Sequence, residues 1–141
     1  SDIQLDTEIP FIKLMEHPWR SLKTPGSTRQ IPLVGYSLWA AHRAISNTDN
    51  QFLFPRYCSD IKCKSDYASN TLNKWLRAYV PDGCVIHSFR HSLRDRLRAV
   101  QCPSDIIDQI GGWQTAGVGQ GYGDGYKLDV LGEWMACLQR F

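Results

Sequence analysis

The spacing of apolar side chains changes along the chain, and the change predicts its elements. Residues 3–17 alternate loosely, with Ile3, Leu5, Ile9, Phe11 and Ile12 among polar neighbours, which predicts one or two short strands broken at Pro10. Two further strand-like runs, 19–24 and 29–33, flank Pro25-Gly26-Ser27 and predict a β-hairpin around that turn. The period then lengthens to that of a helix. Residues 36–46 set Leu38, Ala41 and Ile45 on one stripe, and residues 65–80 set Ala68, Leu72, Trp75, Leu76 and Tyr79 on another, with Ser65 as the expected N-cap. Between them Phe52-Leu53-Phe54-Pro55 reads as a buried apolar plug. An arginine-rich helix is expected over 87–100, and a short Pro-initiated helix from Pro103 to Ile110, stopped by Gly111-Gly112. Residues 114–125 hold five glycines and read as a loop. A last helix over 128–140 carries Leu128, Leu131, Trp134, Met135 and Leu138 on one face. The expected fold is α+β, mainly helical with a small antiparallel sheet near the N-terminus.

Composition narrows the class. At 141 residues, 43% hydrophobic and 21% charged, the chain suits one globular domain, which excludes a disordered or collagen-like polypeptide. No apolar run is long enough to span a bilayer, and no signal-peptide pattern opens the sequence. Five cysteines at irregular spacing, without a C-x-x-C, fit reduced thiols in a cytosolic protein better than a zinc or redox site. The net charge of +2 points to no partner by itself, but its distribution does. Residues 19–30 carry +3 through Arg20, Lys23 and Arg29. Residues 87–100 also carry +3, through Arg90, Arg94, Arg96 and Arg98 against Asp95, while both ends of the chain are acidic.

The densest chemistry lies in His87-Ser88-Phe89-Arg90-His91-Ser92. On a helix His87 and Arg90 share a face. The planar fork of arginine can hold two phosphate oxygens, and histidine can donate to an anion or move a proton. Arg94, Arg96 and Arg98 add a basic helix, equally suited to a solvated face or to DNA backbone contact. Further on stand Gly111-Gly112-Trp113 and, nine residues after the tryptophan, Tyr122. Each feature alone fits packing or a solvated surface.

Their order does not. His-x-x-Arg-His, a Pro-initiated helix, Gly-Gly-Trp and then Tyr122, over residues 87–122, resembles the tyrosine recombinase (phage integrase) family. Residues 20–34, RSLKTPGSTRQIPLV, resemble that family's β-hairpin, in which Lys-Thr precedes the turn and Arg-x-[Ile/Val]-Pro-Leu follows it. Phe52-Leu53-Phe54-Pro55 matches a stretch often found between the two, so the likeness runs collinearly over nearly the whole chain.

The resemblance implies a catalytic-core-like fold and site-specific recombination of double-stranded DNA through a 3′-phosphotyrosyl intermediate, without cofactor or metal. Tyr122 matches the nucleophile, with Tyr126 as rival. Arg90 matches the arginine that clamps the scissile phosphate. His87 matches a donor or acid/base partner, and Lys23 the acid that protonates the leaving 5′-oxygen. Trp113 stands where the family more often has histidine; its indole N–H can donate but cannot shuttle a proton. His91 is expected to be structural, about 100° away from Arg90 around the helix. Arg20, Arg94, Arg96 and Arg98 are the expected DNA-backbone contacts.

The family's first catalytic arginine lies upstream of the hairpin, and no such segment precedes it here; Arg20 is a poor substitute. Residues 1–141 are therefore expected to be the C-terminal part of an integrase catalytic domain, without the upstream arginine helix and the N-terminal DNA-binding domain, and inactive alone. The whole protein is expected to be a homo-oligomer, a tetramer on DNA, in the cytoplasm of a bacterial host and associated with the nucleoid. The alternatives are a non-catalytic helical DNA-binding module and a scaffold whose aromatics serve only packing. The terminal helix is expected to close its own core, the rival being docking in trans between protomers.

Overall fold

A computed structural model describes residues 2–22, 27–113 and 125–138. Three short strands, β1 (Ile3–Gln4), β2 (Phe11–Leu14) and β3 (Arg29–Pro32), form one antiparallel sheet in the order β1-β2-β3. Five helices follow: α1 (Gly35–Ser46), α2 (Ser65–Leu76), α3 (Ser88–Ala99), α4 (Ser104–Gly111) and α5 (Leu128–Cys137). The fold is mixed α+β. No helix among the described residues is long and apolar enough to cross a membrane.

The hairpin expected around Pro25-Gly26 forms with a different partner. Residues 29–32 pair with 11–14, in the register Phe11↔Pro32, Ile12↔Ile31, Lys13↔Gln30 and Leu14↔Arg29. Residues 17–22 are drawn elsewhere. His17 and Arg20 exchange backbone hydrogen bonds of 2.9 and 3.0 Å, the Trp19 carbonyl accepts from Cys63 N–H, and the Trp19 ring stacks on His17 and meets Phe52 edge-on. A large aromatic gains more contact there than in a thin ribbon.

The core gathers Leu97, Cys102, Ile106, Ile107, Ile110, Leu131 and Leu138, from α3, α4 and α5 and their ends. Helix α5 also packs on β3, so within the described residues the terminal helix closes its own core. Between α3 and α4 the chain turns through a Schellman motif. Cys102 N–H donates to the Leu97 carbonyl and Gln101 N–H to that of Arg98, and Gln101 takes φ 61°, a position that favours glycine.

Helix α2 differs from expectation. Leu76 is the one residue of α2 that is buried, whereas Trp75 and Tyr79 are exposed and their rings meet at a tilt, with centroids 4.8 Å apart. Phe54 of the expected plug is also exposed, while Phe52 and Leu53 are half-buried. Ser65 is not the cap of α2: Lys64 holds that position, without a side-chain bond. The amphipathic stripe of α2 is present in the sequence, but within the described residues little covers it.

Candidate anion-binding site

Arg90 and Arg94 lie one turn apart on α3, about 40° apart around its axis. Both guanidinium groups rest on the ring of Trp113, with centroid distances of 4.3 and 5.0 Å. Trp113 follows the left-handed Gly112 that ends α4, and its N–H donates to the Asp108 carbonyl at 3.0 Å. The ring folds back over the helix end so closely that a Cβ on Gly111 would lie 1.8 Å from it. Gly111 is therefore required by Trp113, and Gly112 by its φ of +64°.

The Gly111 carbonyl is one of the orphan acceptors at the end of α4. It accepts from Arg90 Nη1 at 2.6 Å and also from Arg29 Nη2 at 3.1 Å. Arg29, the first residue of β3, donates as well through Nε to the Ile110 carbonyl and through Nη1 to the Ser27 carbonyl. Burial, and then the nearby charge of Arg90, lower the pKa of Arg29. The carboxylate beside this cluster is that of the buried Asp108, 3.5 Å from Arg94 Nη2. Arg94 Nε is buried without a partner. Three guanidinium groups against one carboxylate leave the cluster cationic, with unused donors on planar forks. That arrangement suits an oxyanion.

The residues expected to act together are only partly assembled here. Arg90 and Trp113 meet, and Arg94 joins them as part of the same cluster. Both cations lie against the Trp113 ring. His87 is the residue that caps α3; it is exposed, and its ring meets that of His91 at 5.2 Å in a T-shaped contact. Lys23 and Tyr122 lie outside the described residues. Tyr126, the rival nucleophile, is committed elsewhere. Its hydroxyl donates to Asp105, its N–H donates to Gln109 Oε1 and its carbonyl accepts from Gln109 Nε2. The Asp105 carboxylate holds the Tyr126 phenol above its ordinary pKa, which opposes the ionised form that a nucleophile needs. Asp105 also lies six residues before Gly111, about 9 Å along the axis of α4.

The basic residues expected on a DNA backbone divide into separate sets. Arg20 donates to Asp2 at 2.9 Å and to the Met15 carbonyl at 2.7 Å, and Asp2 also pairs with His17. Arg20 is thus a half-buried structural ion pair at the edge of a cavity of about 680 Å³, shared with Trp19, Phe52, Cys58 and Cys63. Arg96 projects to the other side of α3, where Nη2 donates to the Leu138 carbonyl at 2.5 Å and ties down the end of α5. Arg98 is exposed, 3.9 Å from Asp95. A helix turns about 100° per residue, so positions 94, 96 and 98 cannot face one phosphate strand together. Sequence reasoning overlooked Arg29 and Asp108 as members of the cluster; the Arg-x-Ile-Pro-Leu run that holds Arg29 was its only signal.

No family model, curated protein or solved structure matches this chain.

Proposed function

We propose that the Arg29–Arg90–Arg94–Trp113 cluster handles a DNA phosphodiester, and that the chain is the catalytic part of a tyrosine-type DNA strand-exchange enzyme. The observation that carries the reading is the convergence of three guanidinium groups on one carbonyl and one indole ring, with one carboxylate, Asp108, beside them among the described residues. Phosphoryl transfer builds charge on the non-bridging oxygens, and fixed cations lower that cost without reorganising. The collinear resemblance of residues 20–34 and 87–122 to the tyrosine recombinases supports the same chemistry.

In this reading the Tyr122 phenol passes its proton to the His87 imidazole, the proposed acid/base partner, as its oxygen attacks phosphorus. The bond to the 5′-oxygen breaks, and Lys23 gives that oxygen a proton. A second strand's 5′-hydroxyl reverses the exchange, so bond energy is conserved. Arg90 clamps the phosphate with the donors that Gly111 leaves free. Tyr122 is four residues from Tyr126, whose backbone is tied to Gln109 of α4, and four residues of chain reach up to about 14 Å.

The test uses the protein as its gene encodes it, including any sequence upstream of residue 1, on a nicked suicide duplex. A covalent protein–DNA adduct should form, vanish in Tyr122→Phe and persist in Tyr126→Phe. An adduct that survives Tyr122→Phe would overturn the assignment of the nucleophile. No adduct in the unaltered protein, with DNA binding that still weakens steeply as salt rises, would replace the enzyme with a non-catalytic DNA-binding module.

A further inference from the structure

We infer that Arg29 is a positioning residue for Arg90, coupling the start of β3 to the phosphate-binding cluster. The inference rests on the role proposed for Arg90. Arg29 and Arg90 come from elements 61 positions apart in sequence, yet both donate to the Gly111 carbonyl. Arg29 goes further, since Nε also holds the Ile110 carbonyl at 3.1 Å. A cation bridging two successive carbonyls at the end of α4 satisfies orphan acceptors and complements the helix dipole, so it fixes where the Gly111 oxygen points. That oxygen is the polar anchor of Arg90, and the Trp113 ring is its apolar one. With both in place the Arg90 guanidinium has one position and one plane. Without Arg29, the Gly111 carbonyl is free to turn toward water and Arg90 keeps only the ring.

Two features separate this arrangement from a chance contact. Arg29 approaches so closely that a Cβ on Gly112 would lie 2.4 Å from its Nη1, so the backbone has made room for it. Arg29 also stands beside a like charge, with its pKa lowered by burial and by Arg90, although a carbonyl clamp needs no second guanidinium next to it. Through Nη1 it holds the Ser27 carbonyl as well, four residues after Lys23. The same side chain therefore ties Ser27 to the carbonyl that anchors the arginine that would clamp the phosphate.

The experiment compares Arg29→Ala, Arg29→Lys and Arg90→Ala in the purified chain. The readout is the side-chain nitrogen NMR signal of Arg90, assigned by its loss in Arg90→Ala, with far-UV circular dichroism reporting the fold. In Arg29→Ala the Arg90 Nε–H signal should move toward the free-arginine position, and its hydrogen exchange should accelerate at least tenfold while the dichroism is unchanged. Arg29→Lys, which can reach one carbonyl but not two, should give an intermediate signal and keep the fold if the alanine variant does not. An Arg90 signal unchanged in a folded Arg29 variant would overturn the inference, and so would unfolding of both variants, which would make Arg29 a purely structural clamp. Binding of a short DNA duplex, measured in parallel, separates the two ideas. Unchanged affinity in Arg90→Ala would remove the phosphate role while the NMR comparison still decides whether Arg29 positions Arg90.

Discussion

Replacing Gly112 by alanine tests the local design of the site, because two costs coincide there and a second glycine separates them. Gly112 has φ +64°, where an L side chain costs about 1–2 kcal/mol, and a Cβ would lie 2.4–3.0 Å from three atoms of the Arg29 guanidinium. Gly83 has φ +87° in the turn closed by the Cys84 N–H to Pro81 carbonyl bond, with open space where its Cβ would go. Gly83→Ala therefore carries the backbone cost alone, reduced by the stiffer unfolded chain to about 1 kcal/mol. Gly112→Ala must also push Arg29 off the Ile110 and Gly111 carbonyls. Two half-buried hydrogen bonds at about 1 kcal/mol each bring the total to about 3 kcal/mol. For 141 residues the unfolding entropy is about 0.3 kcal/mol/K, so Tm should fall by about 10 °C for Gly112→Ala and about 3 °C for Gly83→Ala. Thermal and urea unfolding followed by far-UV circular dichroism measure both. A difference below about 0.5 kcal/mol between the two variants would refute the claim that Arg29 is seated against Gly112.

Three further outcomes follow from the same structure. Gln101→Gly should stabilise the chain by about 1 kcal/mol in urea unfolding, because Gln101 occupies the left-handed position of a Schellman motif whose two hydrogen bonds a glycine would keep. Burial raises the thiols of Cys58 and Cys102 from 9.0 to about 11, with the Cys63 hydrogen bond adding to the shift at Cys58. Raised values mean less thiolate, so at pH 8 both should alkylate about a hundredfold more slowly than a free thiol, as read by peptide mass spectrometry, with the rate climbing until pH 11. The stability these protonated thiols contribute is complete below pH 9 and is lost as pH rises toward 11. Arg96→Ala should destabilise the end of α5 by about 1 kcal/mol in unfolding assays and leave the salt dependence of the proposed DNA binding unchanged, since Arg96 projects from the side of α3 away from the Arg90–Arg94 cluster.

The helices were legible because each combines a stripe of period 3.6 with a nearby breaker. Residues 36–46 are realised as Gly35–Ser46, and 87–100 as Ser88–Ala99. What a stripe cannot say is what covers it: α5 and α2 both show one, yet Leu131 and Leu138 are buried while Trp75 and Tyr79 stand in solvent. Strand pairing was less legible for a related reason. The runs at 11–14 and 19–22 could each accept 29–32, and Trp19 decided the outcome by packing against His17 and Phe52. At the site, Arg90 and Trp113 were legible as a pair through a family pattern. Arg29 and Asp108 were not, because the bonds that bring Arg29 to α4 span 81 and 82 residues and leave no local signature.

Six arginines, Arg20, Arg29, Arg90, Arg94, Arg96 and Arg98, sort by what meets their charge, and that sorting bears on function more than their number does. Arg20 is answered by Asp2 and Arg98 by Asp95. Arg96 meets a single carbonyl at the surface, where water screens it. Arg29, Arg90 and Arg94 are instead gathered at one place and held by neutral partners, two backbone carbonyls of α4 and an indole ring, with Asp108 the one carboxylate in contact among the described residues. Neutral acceptors fix the geometry of a guanidinium without cancelling its charge; burial first, and then the like charge of Arg90, lower the pKa of Arg29. A core built only for stability would relieve that repulsion with a second carboxylate. An anion that arrives between the guanidinium groups relieves it too, and gains binding energy in doing so. The like-charge cost would thus be carried by the free protein and released on anion binding, which is the direction that the proposed phosphate-binding role requires.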